Sequence, residues 1–515
     1  MQRYHKQVLN RLKLNLTRES ILTQIKSKPI LYRLAHGSFW ALLGTLTSRM
    51  FSLISTIIIA KLLSVADFGA YGMVQSTMEM FGLLAGFGLG TTSSKYLAEY
   101  KVRDSSKAGR ILSLTNTFAI ISSGIIALVI YFSASWIAWE MLARRDLAPL
   151  LSMGAIYLFI ATQNNVQIRT LGGFEAFKET AKINSLQGIL TPIFAIPLVY
   201  FYNLQGAVLS MIAISLVGYI LSRFEIKKKC RKFNIKLHRF ARSSFDEWPT
   251  LWHFSIPSLV SGLLVMPVIW LTNALLVNQQ NGYSEMGLFN AANQWRQFII
   301  FIPNILSNVL LPIFSDVYGN RSKEDFRSVF QLNLQLTWVI ALPATILIVS
   351  LGDVLGDVFG AKYRGVGILI APLMITAFFN IMNNVVGMAI VGAGRMWLGT
   401  AFNLCWAITM IICSVLLIPR YGSMGLAISY MVSYLFHTVW QMVYTEKVLI
   451  PQSLGKFKYI FLFTIFTIVP VYVLVVRKEI NIYLSVVLVF IASIPLLQVS
   501  MNFYRRALSR QMSNG

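Results

Sequence analysis

The chain has 515 residues, of which 56% are apolar and only 13% charged, with a net charge of +25. That balance excludes a string of soluble domains and places the protein in lipid, where length counts membrane crossings. The surplus of cations would suit nucleic acid, but their placement along the chain excludes that partner, as the loops below indicate.

Residues 1–33 form a basic segment with Val8, Leu9, Leu12 and Leu16 on one helical face among Arg3, Lys6, Arg11, Lys13 and Arg18. It reads either as an amphipathic helix on the inner leaflet or as a disordered tail. A bilayer core about 30 Å thick calls for roughly 20 mainly apolar residues per helix. Fourteen such runs follow: Trp40–Leu63, Phe68–Leu97, Ile111–Trp139, Leu147–Leu171, Ile183–Tyr202, Gly206–Leu221, Trp252–Val277, Met286–Phe314, Leu332–Leu351, Val366–Val391, Leu398–Ile418, Gly422–Tyr444, Tyr459–Val476 and Ile480–Phe503. They are too long and too evenly apolar for barrel strands, so the expected fold is all-α and integral to the membrane.

With the N-terminus inside, 34 of the 45 Lys and Arg fall in cytoplasmic segments and 8 in external ones. This asymmetry puts both termini in the cytoplasm. The basic loops then meet anionic membrane lipid headgroups, and no nucleic-acid partner is expected. Cys230, Cys405 and Cys413 have no metal-ligand spacing.

The chain divides in two. Asp67-Phe68-Gly69-Ala70-Tyr71 reappears as Glu285-Met286-Gly287-Leu288-Phe289 at an offset of 218, and Asn164, Gly173, Asn184 and Gly206 reappear as Asn383, Gly392, Asn403 and Gly425 at 219. The expected plan is an N-lobe at 34–222, a basic linker at 223–248, a C-lobe at 249–446, and two further helices with a tail at 447–515. Six spans separate the copies, so the repeat is parallel. Its pseudo-twofold axis lies along the membrane normal, with a site between two six-helix bundles.

Charged side chains at mid-depth cost at least ~2.5 kcal/mol and mark cavities or partners. Arg49, Glu79 and Arg296 qualify, each about 14 to 17 Å deep at ~1.5 Å per residue. Gln75 and Glu79 share one face of the second helix, Asn290, Asn293 and Gln297 line the eighth beside Arg296, and Asn273 faces them from the seventh. Glu79 reads equally as a structural ion pair with Arg49 or as part of a hydrophilic lumen. One glutamate cannot neutralise two arginines, and guanidinium suits bidentate phosphate binding, so Arg49 and Arg296 are read as anion handlers. Arg169 and Lys61 lie near helix ends and read as snorkelling anchors. Arg144, Arg145, Lys362 and Arg364 read as headgroup contacts, and His253 and His437 as packed or hydrated. The prolines at 192, 197, 257, 267, 303 and 312 read either as hinges or as shapers of the cavity.

The run Ala60-Lys61-Leu62-Leu63-Ser64-Val65-Ala66-Asp67-Phe68-Gly69-Ala70-Tyr71, continued by Gly86-Phe87-Gly88-Leu89-Gly90 and Tyr96, resembles the first two helices of polysaccharide transporters. Over its whole length the chain is similar to Wzx-type O-antigen or polysaccharide flippases of the multidrug/oligosaccharidyl-lipid/polysaccharide exporter superfamily. The resemblance implies a MATE-like fold of about fourteen helices in a bacterial inner membrane. It also implies a polyprenyl-diphosphate-linked oligosaccharide as substrate, moved from the cytoplasmic to the outer leaflet, with polysaccharide polymerase machinery as a further partner. It implies no cofactor beyond a coupling ion, H+ or Na+, and no enzymatic activity. A peptidoglycan-precursor flippase and a cation-coupled multidrug exporter stand as alternatives within the superfamily. A membrane glycosyltransferase or polymerase is the alternative outside it, although the external loops are too short for a catalytic domain and no Walker A sequence occurs.

Overall fold

The computed structural model describes residues 29–237, 242–251, 255, 262–300, 323–393 and 395–451. All regular structure among them is helical. Eleven main helices follow in chain order. α1 spans Pro29–Leu62, α2 Val65–Gly86, α3 Leu89–Tyr100, α4 Ser105–Trp136, α5 Ala148–Gly173 and α6 Phe177–Lys232. α7 spans Met266–Val277, α8 residues 282–300, α9 Lys323–Ser350, α10 Val366–Gly392 and α11 Met396–Tyr444. Among the described residues, seven helices are long and apolar enough to cross a membrane. Bulky apolar side chains such as Phe132, Phe201 and Trp397 point outward, more than 70% exposed. Water would penalise so apolar an outer surface, whereas lipid does not, and the chain is a multi-pass membrane protein.

Two helices are too long to be single spans. At ~1.5 Å per residue, a straight helix the length of α6 would reach about 84 Å, nearly three bilayer cores. α6 instead bends at Asn203 (φ 49°, ψ −130°) and α11 at Gly422 (φ 52°, ψ −128°), so each holds two of the apolar runs read from the sequence. These bends sit 219 residues apart with nearly the same dihedrals. Beyond each bend a glycine lets the chain fold back on itself. A Cβ on Gly206 would overlap the Leu198 carbonyl, and one on Gly425 the Leu417 carbonyl, again 219 apart. Pro192 and Pro197 lie inside α6, yet Asn203 carries its non-helical dihedrals.

Other boundaries depart from expectation. α1 begins at Pro29, within the segment read as a basic tail, and α6 continues to Lys232, into the segment read as linker. The second span is broken rather than continuous: Phe87 (φ 45°) and Gly88 (φ 66°) are both left-handed and separate α2 from α3. Gly88 takes that conformation without steric cost, which lets the break form in an otherwise apolar run. The N-terminal amphipathic stretch, His253, Pro257, Pro303, Pro312 and the two C-terminal spans lie outside the described residues.

Small residues bring helices together where lipid supplies no hydrophobic drive. Gly44 of α1 meets Ala181 of α6, and Gly188 of α6 meets Ser48 of α1. The tightest crossing joins α2 to α8 reciprocally: Gly69 abuts the Tyr283 carbonyl, while Gly287 abuts the Val65 carbonyl. Each residue of the first contact has its partner 218 positions away in the second, as a local twofold relation requires. In the second half, α10 is the buried centre, with Phe378 packed edge-on against Trp338 of α9 at 5.2 Å.

Candidate functional site

α2 carries Gln75, Glu79, Gly82 and Gly86 at helical spacing, so all four share a face. That face opens on a cavity of about 430 Å3 bounded by α2, α3, α5 and Met266 of α7. Gly82 and Gly86 leave its wall bare, because a Cβ at either position would meet nothing within 4 Å. Glu79 lines the cavity and is exposed to it. Gln75 Nε2 donates to Glu79 Oε1 at 2.9 Å, which fixes the carboxylate and leaves its second oxygen for a ligand donor.

The opposite wall belongs to α5, where Tyr157, Thr162, Asn165 and Arg169 line the space. Arg169 Nε donates to Asn165 Oδ1 at 3.2 Å. Its stem crosses the start of α3 where Gly90 has no side chain to obstruct it. Proximity to a helix end makes Arg169 read as an anchor in the sequence. It is instead a cavity residue, since the broken α2–α3 span lets the cavity extend to its depth. Gly88, Gly90 and Thr91 at that break complete the rim, and Gly88 makes no side-chain cap.

Arg49 aside, the nominated residues divide into three groups. Gln75 and Glu79 are joined by a hydrogen bond, Glu79 on the cavity wall and Gln75 one turn behind it. Asn273 belongs to the seam between α7 and α2: its Nδ2 donates to Ser76 Oγ at 3.0 Å, beside a bond from Trp270 Nε1 to Thr77 Oγ1 at 2.9 Å. Asn290, Asn293, Arg296 and Gln297 occupy α8. Asn290 packs against Gly72, and its Nδ2 is buried without a partner. Arg296 Nε donates to Asn293 Oδ1 at 2.6 Å, and the guanidinium lies 5.1 Å from the Tyr430 ring centroid. Gln297 is exposed and sits 218 residues after Glu79, as Asn293 does after Gln75. Arg49 and Arg296 are absent from the lining of the cavity that Glu79 faces. Arg49 lies within electrostatic reach of Glu79, yet among the described ion pairs none joins the two.

At the other end of α2, Arg144 Nη2 pairs with Asp67 Oδ1 at 2.7 Å and with Asp146 Oδ2 at 2.9 Å, and the guanidinium stacks over Tyr283 at 5.0 Å. Tyr283 Oη donates to the Leu142 carbonyl at 2.7 Å, and Asn278 Nδ2 to the Met141 carbonyl at 2.7 Å. This cluster stitches the two halves together at the Gly69–Gly287 crossing. Arg144, read from the sequence as a headgroup contact, is therefore engaged within the protein. Partial burial disfavours the Asp67 carboxylate, but hydrogen bonds from Arg144 and Ser64, with the charge of Arg144, outweigh that and hold its pKa below the ordinary value.

His437 is buried, with Asn383 Nδ2 3.4 Å from Nδ1 and Gln441 Nε2 2.8 Å from Nε2. Its counterpart 219 residues earlier is Gly218, whose bare Cα faces the amides of Asn164 and Gln187. The imidazole thus fills a space that amide side chains occupy in the first half.

A multi-pass protein that is helical throughout its described residues, with internal pseudo-symmetry and a cavity that holds Glu79, Asn165 and Arg169 among apolar side chains, has the build of a transporter. Solved structures share that fold. The chain aligns with the lipid II flippase MurJ in an inward closed conformation at a TM-score of 0.70 and 13% identity, covering 91% of this chain and 99% of that one. It aligns with an inward-facing multidrug resistance MATE transporter of the MOP superfamily at 0.61 and 14%, covering 77% and 94%. Residues 58–366 match the family described as polysaccharide biosynthesis protein, and the chain belongs to that family. Its relatives include the capsular polysaccharide biosynthesis protein CapF of Staphylococcus aureus, 24% identical over 61% of this chain and 78% of that protein. The lipid III flippase of Escherichia coli is 20% identical over 78% and 96%.

Proposed function

We propose that this protein is a flippase that carries a polyprenyl-diphosphate-linked oligosaccharide repeat unit from the cytoplasmic to the outer leaflet by alternating access. The cavity between α2 and α5 is the observation that carries this reading. A fixed carboxylate and amides at membrane depth suit sugar hydroxyls, the Arg169 guanidinium at the far end suits phosphate, and the lipid tail stays in the bilayer. The names of CapF and of the lipid II and lipid III flippases support a lipid-linked saccharide as cargo.

In this reading the chain forms fourteen spans, two six-helix bundles and two C-terminal helices, with both termini cytoplasmic. The Arg144 cluster then faces outside and the Arg169 end of the cavity faces the cytoplasm. Arg49 and Arg296 receive the diphosphate when the halves rearrange around the Gly72–Asn290 contact.

The test is reconstitution in vesicles with a fluorescent polyprenyl-diphosphate oligosaccharide, scoring its accessibility in each leaflet over time. Translocation faster than in protein-free vesicles is expected. Equal rates would reject the flippase reading, and transport of an organic cation in place of the lipid would move the chain to the exporters.

A further inference from the structure

A second cavity lies back to back with the first, across α5. It measures about 290 Å3, near the lower bound of roughly 300 Å3 for small-molecule sites. α4, α5 and α6 enclose it, and only Val166 lines both cavities. Polar side chains are set into an otherwise apolar wall: Ser113, Thr117, Gln167 and Thr170 line it beside Leu112, Val166 and Ile226, with Arg223 and Lys227 of α6 at one side.

Gln167 gives the cavity its meaning. The side chain is only 3% exposed, and neither its amide nitrogen nor its amide oxygen has a hydrogen-bond partner. Burying an amide so is costly unless something supplies the missing bonds. Arg223 and Lys227 lie one helical turn apart and share a face. Neither belongs to any of the ion pairs among the described residues.

The repeat provides an internal control. At the offset of 219 that relates Asn203 to Gly422, Gln167 corresponds to Val386, Thr170 to Ala389 and Arg223 to Met442, all buried apolar residues, while Lys227 corresponds to Glu446. The second half packs the equivalent helices without an amide, a hydroxyl or a cation at these places. Helix packing therefore does not require the polar set of the first half.

We propose that this cavity is a headgroup site for an anionic glycerophospholipid, separate from the transport cavity. The phosphate rests on Arg223 and Lys227, and the headgroup hydroxyls satisfy the Gln167 amide, which can both donate and accept. The acyl chains lie against the exposed apolar flank of α6, where Ile220 and Phe224 face outward. Free glycerol 3-phosphate offers the same polar groups without those chains.

The full-length protein in phosphatidylcholine nanodiscs doped with phosphatidylglycerol tests this by native mass spectrometry. Preferential retention of phosphatidylglycerol is expected. Gln167→Leu should retain roughly fivefold less, as the loss of a neutral hydrogen bond predicts, and the double variant Arg223→Gln/Lys227→Gln roughly thirtyfold less, since each lipid-facing cation is worth about 1 kcal/mol. Lys228→Gln removes a neighbouring charge from outside the cavity and should retain the lipid as the unaltered protein does. Retention unchanged in the double variant, or lowered as far by Lys228→Gln, would overturn the proposal. If Gln167→Leu does not fold, the comparison of the double variant with Lys228→Gln decides. Displacement by glycerol 3-phosphate at matched concentration would overturn the assignment to a lipid.

Discussion

Gly72 of α2 packs against Asn290 of α8, the residue 218 positions later and so its own equivalent in the second half of the chain. Residues meet their own equivalents only beside a twofold axis, so the axis relating the halves passes through this contact. Just above it, Gly69 and Gly287 press against backbone carbonyls that cannot rotate away. An added side chain must force the helices apart.

Gly69→Val and Gly287→Val should therefore each destabilise the crossing by about 1–3 kcal/mol, as overpacking does. Their effects should match, because the contacts are reciprocal. Cysteines placed at Ala66 and Ser284 would report this, becoming more reactive to a membrane-impermeant maleimide in both variants. Labelling at the rate of the parent would dismiss the crossing as a seal.

The Arg144–Asp67 pair should confer a pH dependence of known sign. Because the folded Asp67 pKa lies below the unfolded value of about 3.9, the pair contributes fully above that value and is lost as pH falls through the folded pKa. Asp67 is partly exposed, so the contribution stays below about 1 kcal/mol. Thermal unfolding in detergent between pH 7 and pH 3 should show an acid loss in the parent that Arg144→Gln lacks. Parallel curves for the two proteins would exclude the latch.

Arg49→Ala and Arg296→Ala should impair lipid transport while leaving membrane expression near normal. The expected loss is roughly tenfold or more for each, since a guanidinium–phosphate contact is worth about 1.5–3 kcal/mol. Unimpaired transport in both variants would reject the cationic lumen.

Arg169→Gln should act differently, weakening loading from one leaflet. The apparent KM for the lipid should rise by about tenfold with little change in maximal rate, as when binding energy is removed equally from ground and transition states. A fall in maximal rate alone would place Arg169 at a later step.

The helices, the duplication and the Gln75–Glu79 face are legible in the sequence, because long apolar runs and helical spacing leave few alternatives. The break at Phe87–Gly88 is not, since Gly86-Phe87-Gly88 reads equally well as a close-packing motif. Arg169 is misread for that reason: its depth follows from the end of its own helix, whereas the cavity extends to it through a gap in another. Gln167 gives no signal, because a lone amide in an apolar helix has no period. Its isolation appears only when α4 and α6 are seen to offer it no partner.

The matched bends at Asn203 and Gly422 make the repeat itself testable through strain. Both residues hold φ near +50° with ψ near −130°, a region that only glycine enters cheaply. Glycine stands at one bend and asparagine at the other, so the first half carries strain that the second avoids. Asn203→Gly should relieve about 1 kcal/mol and raise the unfolding temperature in detergent. Gly422→Asn should lower it by more than that relief, because a Cβ there would lie 2.8 Å from Glu285 Oε2, which accepts a hydrogen bond from the Ser423 amide at 2.9 Å. Opposite signs with unequal sizes are thus expected from exchanging the same two residues between equivalent positions. If both exchanges destabilise alike, the shared dihedrals reflect local loop packing and not inheritance from a common half.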